Sequence, residues 1–346
     1  MQKITFDHLT IEITRRCNMH CPHCMRGESQ NIDIDHKYID ALLDQTELIG
    51  RLFFTGGEPT LALDTMDYIL DQLYARGIPV LGFDLFTNGL IYSERFMELV
   101  KEYGKYVDLS REACGQEADK MRTVHIGVSL DRYHENHNLC AQHYNEYKSK
   151  LFGFADVTYI KNGNNPTKLG RAVHLPGAVD RSAGYQQLAK QRIELFTKDS
   201  KPACQAADTY QLAYPDQHMV VCNMMLSATG NLTYAPCDQD FDNIDSATIV
   251  CSVLDGNIWD AIISYNCGKI PCSENQKFVK QLTPFLLKPA DAENEASYQQ
   301  KMELKLAAKR ERMIDKSLQK SHPYESQLFE TIGGLLELIL KQTAKK

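Results

Sequence analysis

Three cysteines, Cys17, Cys21 and Cys24, fall within eight residues at a CxxxCxxC spacing. They follow directly on the alternating apolar run Leu9-Thr10-Ile11-Glu12-Ile13. That pairing constrains the fold more than any other feature. A strand must end where three thiols gather in one loop. Thiolates are the usual ligands of iron–sulfur clusters, and a cubane needs four. Three thiolates cover three irons of a [4Fe–4S] cube and leave the fourth open to a non-protein ligand. An open position separates catalytic metal sites from closed structural ones. The alternative is a zinc knuckle completed by His20 or His23, although zinc sites favour paired CxxC units.

The first 160 residues alternate strand and helix patterns. Strands are expected at Leu9–Ile13, Leu52–Phe54, Val80–Phe86, Val124–Leu130 and Phe154–Ile160. Between them, Tyr38–Ile49, Met66–Ala75 and the Phe96, Leu99, Val100 region read as helices, the second stopped by Gly77 and Pro79. Strands separated by helices form a parallel sheet with right-handed crossovers. Ligands gather at the carboxyl ends of such strands. The cysteine loop, Gly56-Gly57-Glu58-Pro59, Thr87-Asn88-Gly89 and Ser129-Leu130-Asp131 each sit just after an expected strand. One shared pocket follows. Beyond Gly170 the pattern loosens: Tyr185–Phe196 reads as a helix, and Ala228-Thr229-Gly230-Asn231 marks a hairpin between Met219–Leu226 and Leu232–Tyr234.

The chain of 346 residues is 43% apolar, enough for a sizeable core. Its net charge of −7 argues against a nucleic-acid partner. No run approaches the ~18 apolar residues of a membrane helix, and no apolar leader is seen. Eleven cysteines without a leader point to metal ligation in a reducing, cytoplasmic setting.

The triad and the GGEP turn together resemble the radical S-adenosylmethionine (SAM) superfamily. The resemblance covers about residues 5–220. It implies an α/β fold, a partial (β/α)6 TIM-like barrel over 1–215. A smaller cysteine-containing extension, a short hairpin plus helices, would cover 216–280, with charged helices over 281–346. It implies that Cys17, Cys21 and Cys24 hold a [4Fe–4S] cluster whose open iron chelates S-adenosylmethionine. The reduced cluster would cleave the sulfonium to a 5′-deoxyadenosyl radical, its electron coming from a donor such as flavodoxin or ferredoxin. Gly56, Gly57, Glu58 and Pro59 would meet the cofactor's amino group, with Glu58 its charge partner. Asn88, Ser129 and Asp131 would meet ribose and carboxylate, and Arg171 the carboxylate. His23 holds the place where relatives often carry an aromatic residue against adenine. Helix capping by Ser129 and Asp131, and a surface role for Arg171, are the plain alternatives.

Tyr133, His134 and Glu135 are candidates for general acid/base work, being titratable and just past a barrel strand. A solvated loop would read the same. Cys222, Cys237, Cys267 and Cys272, with Gly256-Asn257-Ile258-Trp259, resemble SPASM and twitch extensions, which hold auxiliary iron–sulfur clusters. The dense cysteine run of a full SPASM domain is absent, so one auxiliary cluster at most is expected; buried structural thiols are the alternative. A twitch extension implies a peptide substrate. Modification of a nucleotide or small metabolite is the second enzyme reading, and a non-catalytic zinc or iron–sulfur scaffold the third.

Overall fold

The computed structural model describes residues 3–114, 123–134, 136–160, 166–180, 195–197, 219–221, 224–234, 240–242 and 246–266. The chain divides into two compact units, Met1–Glu295 and Ala296–Lys346, and every described residue lies in the first. The fold is α/β with a mostly parallel sheet. Five strands, β1 (Ile4–Thr14), β2 (Thr46–Gly56), β3 (Phe83–Thr87), β4 (Val124–Ser129) and β5 (Asp156–Ile160), stand side by side in chain order, all parallel. One helix connects each pair: α1 (His36–Leu43), α2 (Leu63–Arg76), α3 (Glu94–Ala113) and α4 (His137–Lys150). Sequential order with crossovers of one hand puts the helices on one side and curls the sheet, as in the wall of a (β/α) barrel.

Strand periodicity divides the side chains between two faces. Leu9, Ile11, Ile13, Leu52, Phe54, Phe83, Leu85, Val124, Ile126 and Val128 face the helices and are buried. Phe54 and Phe83 pack on Tyr103 of α3 at ring distances of 5.5 and 4.4 Å. Buried tyrosines need a partner for the hydroxyl. Tyr103 donates to the Met66 carbonyl at 2.8 Å and Tyr106 to the Leu73 carbonyl at 3.0 Å, which tie α3 to α2. Asp35 caps α1 through the Lys37 N–H, Ser93 caps α3 through the Phe96 N–H, and Gly77 ends α2 in the left-handed conformation.

The remaining strands are β6 (Leu195–Thr197), β7 (Met219–Val221), β8 (Met224–Leu226), β9 (Asn231–Thr233) and β10 (Ile249–Ser252), followed by α5 (Ile258–Asn266). β7 and β8 lie parallel to β1 on its free edge, and β8, β9 and β10 run antiparallel in turn. The expected hairpin is therefore present at β8–β9, with Met225 opposite Thr233. No parallel strand follows β5 among the described residues; the wall continues on the other side of β1 instead.

Two expected helices are corrected. Leu48 and Ile49 belong to β2, because α1 stops at Asp44 and pairing with Thr5 and Phe6 of β1 outweighs their helical spacing. Leu195 and Phe196, the end of the expected Tyr185–Phe196 helix, form a strand paired antiparallel with Val221 and Val220; the rest of that helix lies outside the described residues. The charged segment beyond residue 280 lies outside the described residues. Among the described residues no helix is long and apolar enough to cross a membrane.

Candidate functional site

The carboxyl ends of β1 to β4 meet around one cavity of about 160 Å³. Its lining includes Cys17, Cys21, Cys24, Gly56, Gly57, Glu58, Pro59, Asn88, Ser129, His134, His23 and Arg171. The three cysteines pack against buried Met19 and Cys140. Burial, followed by the neighbouring Cys17 and Cys24, pushes the Cys21 thiol up to about 12. Burial pushes Cys17 up as well. Three thiols crowded into one loop, with Cys17 and Cys21 resisting ionisation, match a donor set completed by a cation, which stabilises thiolates. The residues thus fit an iron–sulfur cluster with three protein ligands.

The glycine loop is locked to the strand that feeds the cysteines. The N–H groups of Gly57 and Glu58 donate to the carbonyls of Thr14 and Arg16 at 2.9 and 2.8 Å. A Cβ at Gly56 would stand 2.0 Å from the Thr14 carbonyl oxygen, and one at Gly57 2.2 Å from that of Arg16. Only glycine permits this approach.

Glu58 is buried and holds three loops together. Oε1 accepts from the Thr60 N–H (3.1 Å), the Thr60 hydroxyl (2.6 Å) and the Thr87 hydroxyl (2.7 Å); Oε2 accepts from the Asn88 N–H (2.7 Å). Burial raises its pKa, and the four donors oppose that rise. Asn88 in turn donates through Nδ2 to Asn18 Oδ1 at 2.8 Å, reaching into the cysteine loop. Arg171 donates through Nε to the Cys21 carbonyl at 2.9 Å and pairs with Glu28 at 3.3 Å. It acts as a staple across the loop as well as a lining residue.

Asp131 is not in the lining but stands behind it. His134 Nδ1 approaches Asp131 Oδ1 at 2.8 Å, His23 Nε2 lies 3.4 Å from Oδ2, and the Tyr133 N–H donates to Oδ1 at 2.9 Å. Burial would raise this carboxyl. Bonding from His134, His23 and the Tyr133 N–H instead holds it far below the usual carboxylate range. The result is an anchored carboxylate that orients two lining imidazoles. Tyr133 stacks on His23 at 4.9 Å and is not in the lining. Glu135 lies outside the described residues, as do Cys222, Cys237, Cys267 and Cys272.

Thr87, in a segment expected at the pocket, lines the cavity, and so do Thr55 and Phe86, which the sequence did not single out. Their signal was position: each lies in the last residues of a strand feeding the site.

Residues 11–159 match the family described as Radical SAM superfamily. An uncharacterised protein of Methanocaldococcus jannaschii is 32% identical over 108 residues, 30% of this chain and 37% of that protein. A GTP 3′,8-cyclase of Alkaliphilus oremlandii is 29% identical over 143 residues, 39% of this chain and 43% of that protein. The match thus spans less than half the length of either curated relative. The solved structure of anSMEcpe with bound AdoMet and Cp18Cys peptide aligns with a TM-score of 0.43 at 13% identity, over 91% of this chain and 99% of that chain. The part of the chain similar to the radical SAM superfamily, residues 11–159, carries the cysteine loop, the glycine loop and most of the five-strand wall.

Proposed function

We propose that the protein is a radical SAM enzyme, with Cys17, Cys21 and Cys24 holding a [4Fe–4S] cluster and S-adenosylmethionine seated in the adjoining cavity. The observation that carries this reading is the convergence of the three thiols with the GGEP loop, Asn88 and Ser129 on one cavity. Bound there, a reduced cluster would supply the electron for cleavage of the sulfonium and so the radical chemistry that removes a hydrogen atom from substrate. The chain's own share is binding, aim and exclusion of water. Glu58 fixes the relative height of the glycine loop and the Thr87–Asn88 turn. It also sets a buried carboxyl beside the place for a cationic amino group. Arg171 holds the Cys21 end of the cysteine loop. His134, oriented by Asp131 through Nδ1, has its other nitrogen for a proton at the substrate. Ser129 and Asn88 offer polar contacts to ribose.

An auxiliary cluster on Cys222, Cys237, Cys267 and Cys272 would bring the iron content to about eight per chain, and Cys237→Ala would then halve it. Iron unchanged by that substitution would return these thiols to a structural role. The twitch-like cysteine pattern supports a peptide substrate. The relatives named GTP 3′,8-cyclase bring a nucleotide forward instead, and the polar inner wall of the barrel favours this second reading. A flavodoxin or ferredoxin would supply the electron.

The deciding experiment is anaerobic. Protein reconstituted with iron and sulfide and given S-adenosylmethionine with dithionite should release 5′-deoxyadenosine. Cys21→Ala should lose both the iron and that product. Stoichiometric zinc without sulfide, or product formation by Cys21→Ala, would remove the assignment.

A further inference from the structure

The inner faces of β2 to β5 do not look like a packed barrel core. Barrel interiors are filled by layers dominated by Val, Ile and Leu. Here one layer places Asp84 beside His125, and the next places Phe86 beside Gly127 beside Thr158, each pair being Cα partners across the strands. Arg51 reaches over from β2. Its Nε and Nη2 both pair with Asp84, the latter at 2.9 Å. His125 Nδ1 stands 3.9 Å from Asp84 Oδ1, and its Nε2 shares a hydrogen bond of 2.6 Å with Thr158 Oγ1. These groups are pre-oriented by one another, as a recognition surface requires. They are also accessible: the side chains of Arg51 and His125 are 39% and 27% exposed.

Phe86 joins this wall to the cysteine cavity, since it lines that cavity as well. It is 41% exposed, on the inner side of the sheet. Its contacts with Phe53 and His125 are T-shaped, at 4.9 and 6.1 Å, so neither neighbour stacks on it. Gly127 makes its position possible. A Cβ there would lie 2.6 Å from Phe86 Cδ1 and 2.4 Å from Ile160 Cδ1. The absence of a side chain at 127 lets the ring lie close against β4.

We propose that this wall seats the substrate, and that it takes a flat heterocycle of the nucleobase type, stacked on Phe86 with its edge read by Arg51, Asp84 and Thr158. The inference rests on the radical SAM reading and adds the substrate class. An aromatic face accepts any base, because every base has a π-face. The adjacent guanidinium and carboxylate put donors and acceptors side by side, the combination a base edge carries. The wall reaches the cavity through Phe86, which places the heterocycle or its attached sugar next to the cofactor's seat.

Calorimetric titration of the full-length, cluster-loaded protein tests this. S-adenosylmethionine is titrated first, then guanosine, adenosine and cytidine in its presence. At least one nucleoside should bind with a Kd below about 1 mM. Phe86→Leu and Thr158→Val should each weaken that binding by about tenfold, with thermal melting confirming the fold. Should Phe86→Leu fail to fold, Thr158→Val, which is near-isosteric, decides alone. Binding of S-adenosylmethionine with no nucleoside bound overturns this inference and leaves the cofactor reading standing. Nucleoside affinity unaltered in a folded variant overturns it too. No binding of S-adenosylmethionine sinks both.

Discussion

The two faces of the same five strands are built to opposite rules. Outward, Leu9, Ile11, Phe54, Phe83, Leu85 and Ile126 are fully buried under the helices. Inward, at the alternate positions, stand Thr10, Glu12, Arg51, Asp84, His125 and Thr158. The difference sets a face that carries stability against the face on which the substrate seat is proposed. A hydrocarbon face gains from burial roughly in proportion to area. A polar face gains little net from its internal hydrogen bonds.

The strongest way to break this contrast is from outside. Phe54 is fully buried, edge-on to Phe83 at 5.3 Å and Tyr103 at 5.5 Å. Phe54→Ala should cost about 3–5 kcal/mol, seen as a lower denaturant midpoint with an unchanged slope. A loss under about 1 kcal/mol would mean that the outer face does not carry the fold.

Asp7 is the exception on the outer face and sharpens the rule. It alternates with Leu9 and Ile11 on β1 and is 8% exposed. Burial raises its carboxyl from 3.8 to about 6. Because the folded pKa lies above the unfolded one, the protonated form favours folding. That contribution is complete below about pH 4 and is lost as pH rises through about 6. At pH 8 the ionised group then costs up to roughly 3 kcal/mol. Asp7→Asn should therefore raise the melting temperature at pH 8 and do much less at pH 4. An equal gain at both pH values would point to packing instead of charge.

Those faces were unequally legible. The order of strands and helices was readable because periodicity is local. The cysteine loop was readable because its three ligands sit within eight residues. The Asp84–His125–Thr158 arrangement was not, because it joins three strands and depends on register. Single polar residues in short apolar runs such as Val124–Val128 also look like interruptions. Helix α4 was not legible, for a related reason. Its buried residues are few, Cys140, His143 and Tyr147, so it shows almost no apolar stripe. The Glu58 knot shows a third limit. The motif marked the residue, yet the partners Thr87 and Asn88 lie about 30 positions away and only the sheet brings them together.

The smallest expected stability effect belongs to the inner face, and it is the one that separates the two rules most sharply. His125→Ala removes the imidazole together with its contacts to Thr158 and Asp84. The residue is partly exposed and its lost hydrogen bond is worth about 1 kcal/mol or less. The melting temperature should therefore move by no more than a few degrees, against the collapse expected for Phe54→Ala. If the inner wall were structural, with Asp84 and Thr158 needing the imidazole to remain satisfied, this substitution would cost 2 kcal/mol or more by leaving roughly two polar groups unpaired. Equilibrium unfolding of the two variants side by side decides between a wall that holds the barrel up and one that the barrel holds in place.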